Sequence, residues 1–281
     1  MNKIYKRSFL QAPALIALII AFCICTGCIG AEENTPAGNV SDFKNRDVLY
    51  QVSSIDLLLA GGYDGFASVD ELKKHGDTGL GTVDMLNGEL IVAGGNFYTV
   101  SSDEKITLLS DTDKIPFAAV TFFDEDYSFE MSAIENISSF EERISEILPA
   151  KTQFYALKIE GDFNYLKTRS VPKQEKPYIK LAEVVKNQSV FEYENISGTV
   201  IGLWSPSFAG GLNVPGLHIH FISDDKTRGG HILDLKFDNQ TVILDETGGY
   251  YVQLPKSTLG GDAGDSLAEQ KRSLELALVE K

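Results

Sequence analysis

Three of the chain's four histidines, His218, His220 and His231, lie in one stretch, GLHIHFISDDKTRGGHILD at 216–234. On a β-strand alternate side chains share a face, so His218 and His220 point the same way while Ile219 points into the opposite layer. The following SDDKTRGG is turn-like, with paired Asp early and paired Gly late. A strand that reverses there returns with His231 beside the first pair. Three imidazoles on adjacent strands supply three of the four positions of a tetrahedral ion and leave one open for water or substrate, as a catalytic centre requires. A lone histidine reads as a core or surface residue, but three in His-x-His, ten residues, His read as metal ligands. Zn²⁺ is the first choice, and imidazole also suits copper, iron or nickel. The fourth, His75, closes a capped helix and is expected to be structural.

The elements that would carry these residues are mixed. Ser53 or Ser54 caps a short helix through Leu59 that stops at Gly61-Gly62, and Ser68-Val69-Asp70-Glu71 opens a second helix ending at Gly76. ELIVAGGNFYTV (89–100) reads as two strands around a glycine turn, and PFAAVTFF (116–123) as a buried strand. SSFEERISEIL (138–148) has helical spacing behind a Ser-x-x-Glu box. From about 152, β signals dominate. QFYALKIEGDF, GTVIGLW, LHIHFI, HILDLKF, TVILD and YYVQL are short runs separated by Gly, Asn and Asp. A last helix is expected over DSLAEQKRSLELALVEK. The fold class is therefore α+β, in two domains. A mixed sheet with helices (47–150) precedes an antiparallel β-barrel-like domain (151–281) that carries the metal site.

The N-terminus reads as a secretory signal over 1–28. Lys3, Lys6 and Arg7 precede an apolar run from Phe9 to Cys25. Cys25-Thr26-Gly27-Cys28 resembles a lipoprotein cleavage box that would lipidate Cys28; an uncleaved signal anchor is the alternative. Residues 29–46 are polar and suit a flexible linker. The expected product is exported and tethered at the outer face of the cytoplasmic membrane, touching it only through this anchor. All three cysteines (Cys23, Cys25, Cys28) fall in the leader, which leaves the body without a disulfide or a thiolate ligand. Loss of Lys3, Lys6 and Arg7 moves the formal charge from −15 to −18, which argues against nucleic acid as a partner. Sequons begin at Asn39, Asn136, Asn187, Asn195 and Asn239.

Five blocks extend the pattern beyond the histidines: LYQVSSIDLLLAGGYDG (49–65), ELKKHGDTGLGTVDMLNGELI (71–91), PFAAVTFF, TRSVPKQEKPY (168–178) and NVPGLHIHFISDDKTRGGHILD (213–234). Together they resemble the acetolactate decarboxylases, in the family's order, from about residue 48 to the C-terminus. The resemblance implies a zinc held by His218, His220 and His231. It also implies a glutamate at Glu89, an arginine at Arg169 and a C-terminal glutamate matched by Glu280, with Glu275 only five residues away. It implies a two-domain fold and a homodimer. Leu217 departs from the pattern, standing where a tyrosine is expected before the first histidine.

The implied reaction is decarboxylation of 2-acetolactate to acetoin. The ketone next to the carbon that loses carbon dioxide can take the electron pair as an enediolate, with the metal as electron sink. No thiamine or pyridoxal cofactor is then required, and no glycine-rich phosphate-binding motif points to one. Arg169 would bind the carboxylate or the enediolate oxygen through its planar fork. Glu89 or Glu280 would deliver the proton, and the sequence leaves open which. Two other readings compete. One is a tethered, non-enzymatic metal-binding protein, which needs neither Arg169 nor Glu89. The other is a cupin-like His₃ metalloenzyme with a carboxylate ligand from Asp224, Asp225 or Asp234.

Overall fold

The computed structural model describes residues 46–256. The leader, the linker up to residue 45, Glu275, Glu280 and the expected last helix lie outside the described residues. In order, the elements are β1 (Val48–Val52), α1 (Ile55–Leu59), β2 (Ala67–Ser68), α2 (Val69–Lys73), β3 (Thr78–Thr82), β4 (Glu89–Ala93), β5 (Asn96–Val100), β6 (Ile106–Leu108), β7 (Lys114–Ile115), β8 (Phe117–Thr121), β9 (Tyr127–Ile134) and α3 (Ile137–Ile147). Then come β10 (Phe154–Ser170), α4 (Leu181–Val184), β11 (Ser189–Ser205), β12 (Gly216–Ser223), β13 (Gly229–Thr247) and β14 (Gly249–Gln253). The class is α+β and sheet-rich. Among the described residues no helix is long and apolar enough to cross a membrane.

Seven strands form one sheet in the order β14-β1-β8-β3-β4-β5-β6, and five form a second in the order β10-β11-β12-β13-β9. The two sheets exchange strands along the chain. β9, from the first half, pairs antiparallel with β13, while β14 returns to lie parallel to β1. β10 also pairs with β13, so the order β10-β11-β12-β13 comes back to its start. The interior of this second unit is apolar, with Phe163 edge-on to both Phe221 and Phe237, and α3 adds Phe140 and Ile144. The first sheet buries Leu90, Val92, Val120 and Phe97 against α2. Between the sheets, Ile91 and Val100 meet Ile201 and Ile222.

Several local expectations hold. Ser54 accepts from Leu57 N at the start of α1, and Ser68 accepts from Glu71 N at the start of α2. His75 stacks on Tyr50 at 3.7 Å and 5°, in keeping with a structural role. Two expectations are corrected. The Ser-x-x-Glu box does not open α3. Asn136 is its cap, in reciprocal bonds with Ser139, because the helix already starts at Ile137, ahead of both serines, and Asn accepts well at the cap position. LHIHFI and YYVQL fall in separate strands, β12 and β14, but the other runs after 152 are not short, separate strands. β10 and β11 each have 17 residues, and HILDLKF and TVILD fuse into the 19-residue β13. Gly161, Asp162, Asp238 and Asn239 sit inside continuous strands rather than in turns.

Candidate active site: three imidazoles between the sheets

β12 and β13 form the hairpin expected from the histidine stretch, with His220 directly opposite His231. On the other side of β13, Arg169 of β10 is also opposite His231. Directly opposed residues in an antiparallel pair share a face, so His220, His231 and Arg169 form one row across three strands. A bulge creates that alignment. Lys167 pairs with Asp234 but Thr168 with Ile232, so Leu233 has no partner. Without the extra residue, Arg169 would stand opposite Ile232, and His231 would project from the other face. Gly230 is required just before His231. Its φ is +135°, and a β-carbon there would lie 2.5 Å from the Arg169 carbonyl oxygen.

The row faces β4. The backbone carbonyl of Leu90 lies 2.9 Å from His220 Nδ1, so that nitrogen carries the proton and leaves Nε2 with a free lone pair. Glu89, one residue earlier, points to the same space, its Oε2 3.7 Å from His220 Nε2. The three histidines converge on one point. His218 Nε2 lies 3.1 Å from His231 Nδ1 and 3.2 Å from His220 Nε2. A tetrahedral zinc with bonds of 2.0–2.1 Å would separate its nitrogens by about 3.3 Å, so the donor set fits such an ion. Burial, first of all, pushes all three imidazoles below their ordinary range, His218 to about 3, and the Arg169 charge adds to this. Neutral, lone-pair-bearing rings are the form a metal requires. The three histidines can hold a metal.

His218 and His231 line a cleft of about 920 Å³, with His220 buried beside them. Its apolar wall includes Leu58, Leu86, Phe117, Leu181 and Leu217, and its polar groups include Thr82, Glu89, Arg169 and Gln188. Burial raises Glu89 to about 7, held back by the Arg169 charge. Burial likewise pulls Arg169 down, opposed by Glu89. Arg169 Nη1 donates to Gln188 Oε1 at 3.0 Å, and its Nε has no partner among the described residues. Thr82, opposite Glu89 on β3, donates to the Gly88 carbonyl at 2.7 Å and steadies the turn into β4. Leu217 is half-buried opposite Trp204 and adds apolar surface where a hydroxyl was expected.

The acids considered as a fourth ligand are engaged elsewhere or exposed. Asp234 Oδ1 accepts from Ile137 N at the start of α3, and Asp225 accepts from Ser223 and Thr227. Asp224 is exposed. Glu89 and Arg169, expected from the resemblance, are in the cleft with the histidines. Thr82 and Gln188 escaped notice because a lone Thr or Gln carries no sequence signal of its own.

Fold and site thus define a class first: a two-sheet α+β protein with a candidate His₃ metal centre, a carboxyl and a guanidinium enclosed between the sheets. Comparison with known proteins narrows it. The sequence model of the alpha-acetolactate decarboxylase family matches residues 49–259. An alpha-acetolactate decarboxylase of Methanosarcina mazei is 43% identical over 270 residues, covering 91% of this chain and 93% of the relative. That of Bacillus subtilis is 39% identical, covering 74% and 82%. The crystal structure of alpha-acetolactate decarboxylase from Bacillus subtilis strain 168 superposes with a TM-score of 0.77 at 36% identity, covering 81% of this chain and 99% of that one. The chain belongs to the alpha-acetolactate decarboxylase family, and with it to the carboxy-lyases.

Proposed function

We propose that this protein decarboxylates 2-acetolactate to acetoin in the cleft, with Zn²⁺ held by His218, His220 and His231. The observation that carries the reading is that three neutral imidazoles, a buried cation and a buried carboxyl meet in one cleft of a family member. A bound zinc would supply Lewis acidity toward the ketone and hydroxyl oxygens, so that no organic electron sink is needed. Arg169 binds the substrate carboxylate through its fork and fixes the bond to be broken beside the imidazoles. When that bond breaks, carbon dioxide leaves and its electron pair passes to the ketone oxygen. The carbon left behind then needs a proton. Glu89, raised to about 7, holds one near neutral pH and is placed to deliver it. Glu280 is proposed to orient the substrate hydroxyl. The apolar wall accommodates the two methyl groups and keeps water away.

The returning strand order supports a barrel-like unit behind the site. The leader supports an exported, tethered enzyme, and the resemblance supports a homodimer. The test is direct: zinc-loaded protein given racemic acetolactate forms acetoin. No acetoin above a metal-free blank sinks the reading. His220→Ala is expected to lose bound zinc and activity together. Arg169→Ala keeps the zinc and loses about 10²–10³-fold in kcat/KM.

A further inference from the structure

Among the described residues Arg169 is the only guanidinium lining the cleft, and it is held in an unusual way. It is buried, and a guanidinium offers five donors. Among the described residues, one side chain accepts a hydrogen bond from it, Gln188, at 3.0 Å from Nη1. The atom facing Nη1 must be the amide oxygen, because a guanidinium only donates. Glu89 acts on the Arg169 charge without a hydrogen bond to it. The fork is therefore oriented by a neutral group.

We propose that Gln188 is a positioning residue that holds Arg169 as an un-neutralised cation aimed at the substrate carboxylate. The inference rests on the decarboxylase reading for the identity of that carboxylate. A buried arginine is ordinarily paired with an acid, which fixes the fork but also spends its charge. An amide oxygen fixes the same plane and leaves the full charge for an incoming anion. Gln188 is itself held in place. It is buried, its backbone N–H donates to the Val185 carbonyl at 3.2 Å, and the next residue begins β11. From the end of that ladder it reaches back to Arg169, one position beyond the Ser170–Ser189 pair.

The variants are Gln188→Glu, which preserves shape, Gln188→Leu, and Gln188→Leu combined with Arg169→Ala. Zinc content and melting temperature are followed for each. Gln188→Glu places a competing anion on Arg169, so KM is expected to rise tenfold or more, about 1.4 kcal/mol, while kcat changes little. Gln188→Leu is expected to lose about tenfold in kcat/KM, and to lose nothing further in the Arg169→Ala background, because it acts only through Arg169. A readout independent of turnover is calorimetric binding of 2-hydroxyisobutyrate, a 2-hydroxy acid with no ketone to react. Gln188→Glu should weaken it as much as it raises KM. Wild-type KM and probe affinity in Gln188→Glu overturn the inference, as does an additive loss in the double variant. A wild-type protein that makes no acetoin, while Gln188→Glu still weakens the probe, overturns the decarboxylase reading and leaves the positioning role standing.

Discussion

Two buried carboxyls in this molecule keep opposite company. Glu89 lies at the edge of the cleft, with an imidazole nitrogen 3.7 Å away and the Arg169 charge nearby. Asp245, within β13, is wholly buried, and among the described residues only the Asp124 backbone N–H lies near enough to act on its oxygens, without a well-formed hydrogen bond. Burial raises both acids, Glu89 to about 7 and Asp245 to about 8. The neighbours then work in opposite directions. Arg169 pulls Glu89 back, whereas Asp126, Asp47 and Asp124 push Asp245 further up, and the Asp124 backbone N–H offsets this only in part. A raised acid alone thus marks no function. What distinguishes Glu89 is convergence: a cation, three imidazoles and open space lie around it.

The largest test of that contrast is the pair Glu89→Gln and Asp245→Asn. Glu89→Gln removes a proton donor and keeps the shape, so acetoin formation should fall about 10²–10⁴-fold. Its melting temperature should not fall, because no direct ion pair is broken. Asp245→Asn should leave kcat and KM unchanged. If Asp245→Asn cut turnover as deeply as Glu89→Gln, the division between the two acids would be wrong.

The same contrast shows what could be read from the sequence. His218, His220 and His231 were legible because the ligands, the turn and the return are local, all within nineteen residues. The capping serines of α1 and α2 were legible for the same reason. The long strands were not, because Gly161 and the Asp-Asn pair at 238–239 look like turns. In the fold, Gly161 is a crossing point: the Gln240 side chain lies over it, where a β-carbon would come within 2.1 Å, and donates to the Asp162 carbonyl. That need is set by a strand almost eighty residues away. The β1–β14 pairing across 200 residues and the bulge at Leu233 are equally non-local. Glu89 and Arg169 became visible only through family resemblance, since in an acidic chain one carboxyl looks like another.

A smaller effect is expected in stability. A carboxyl whose pKa is raised on folding binds protons in the folded state between its ordinary 3.8 and about 8, where the unfolded chain has lost them. Asp245 therefore favours folding at low pH, and its contribution is lost as pH rises from about 4 to about 8. Asp245→Asn should flatten this part of the stability profile. At pH 8 the variant should be more stable by roughly 1–3 kcal/mol, the cost of an unsatisfied buried polar group, and the gain should vanish near pH 4. Urea melts at several pH values check this, and a variant less stable than the wild type at pH 8 would refute it.

The smallest effect separates the two causes acting on Asp245. Burial is the larger, and repulsion by the exposed Asp126 is secondary because water screens it. Asp126 also accepts from Glu246 N at 2.9 Å, a bond that the side-chain oxygen of Asn can keep. Asp126→Asn should therefore move the midpoint of the stability profile toward acid by less than about one pH unit. A shift that returned Asp245 to the ordinary carboxyl range would mean that repulsion, not burial, raises it. In that case the contrast with Glu89 would lie wholly in the sign of neighbouring charge: a guanidinium beside one buried acid, and acids beside the other.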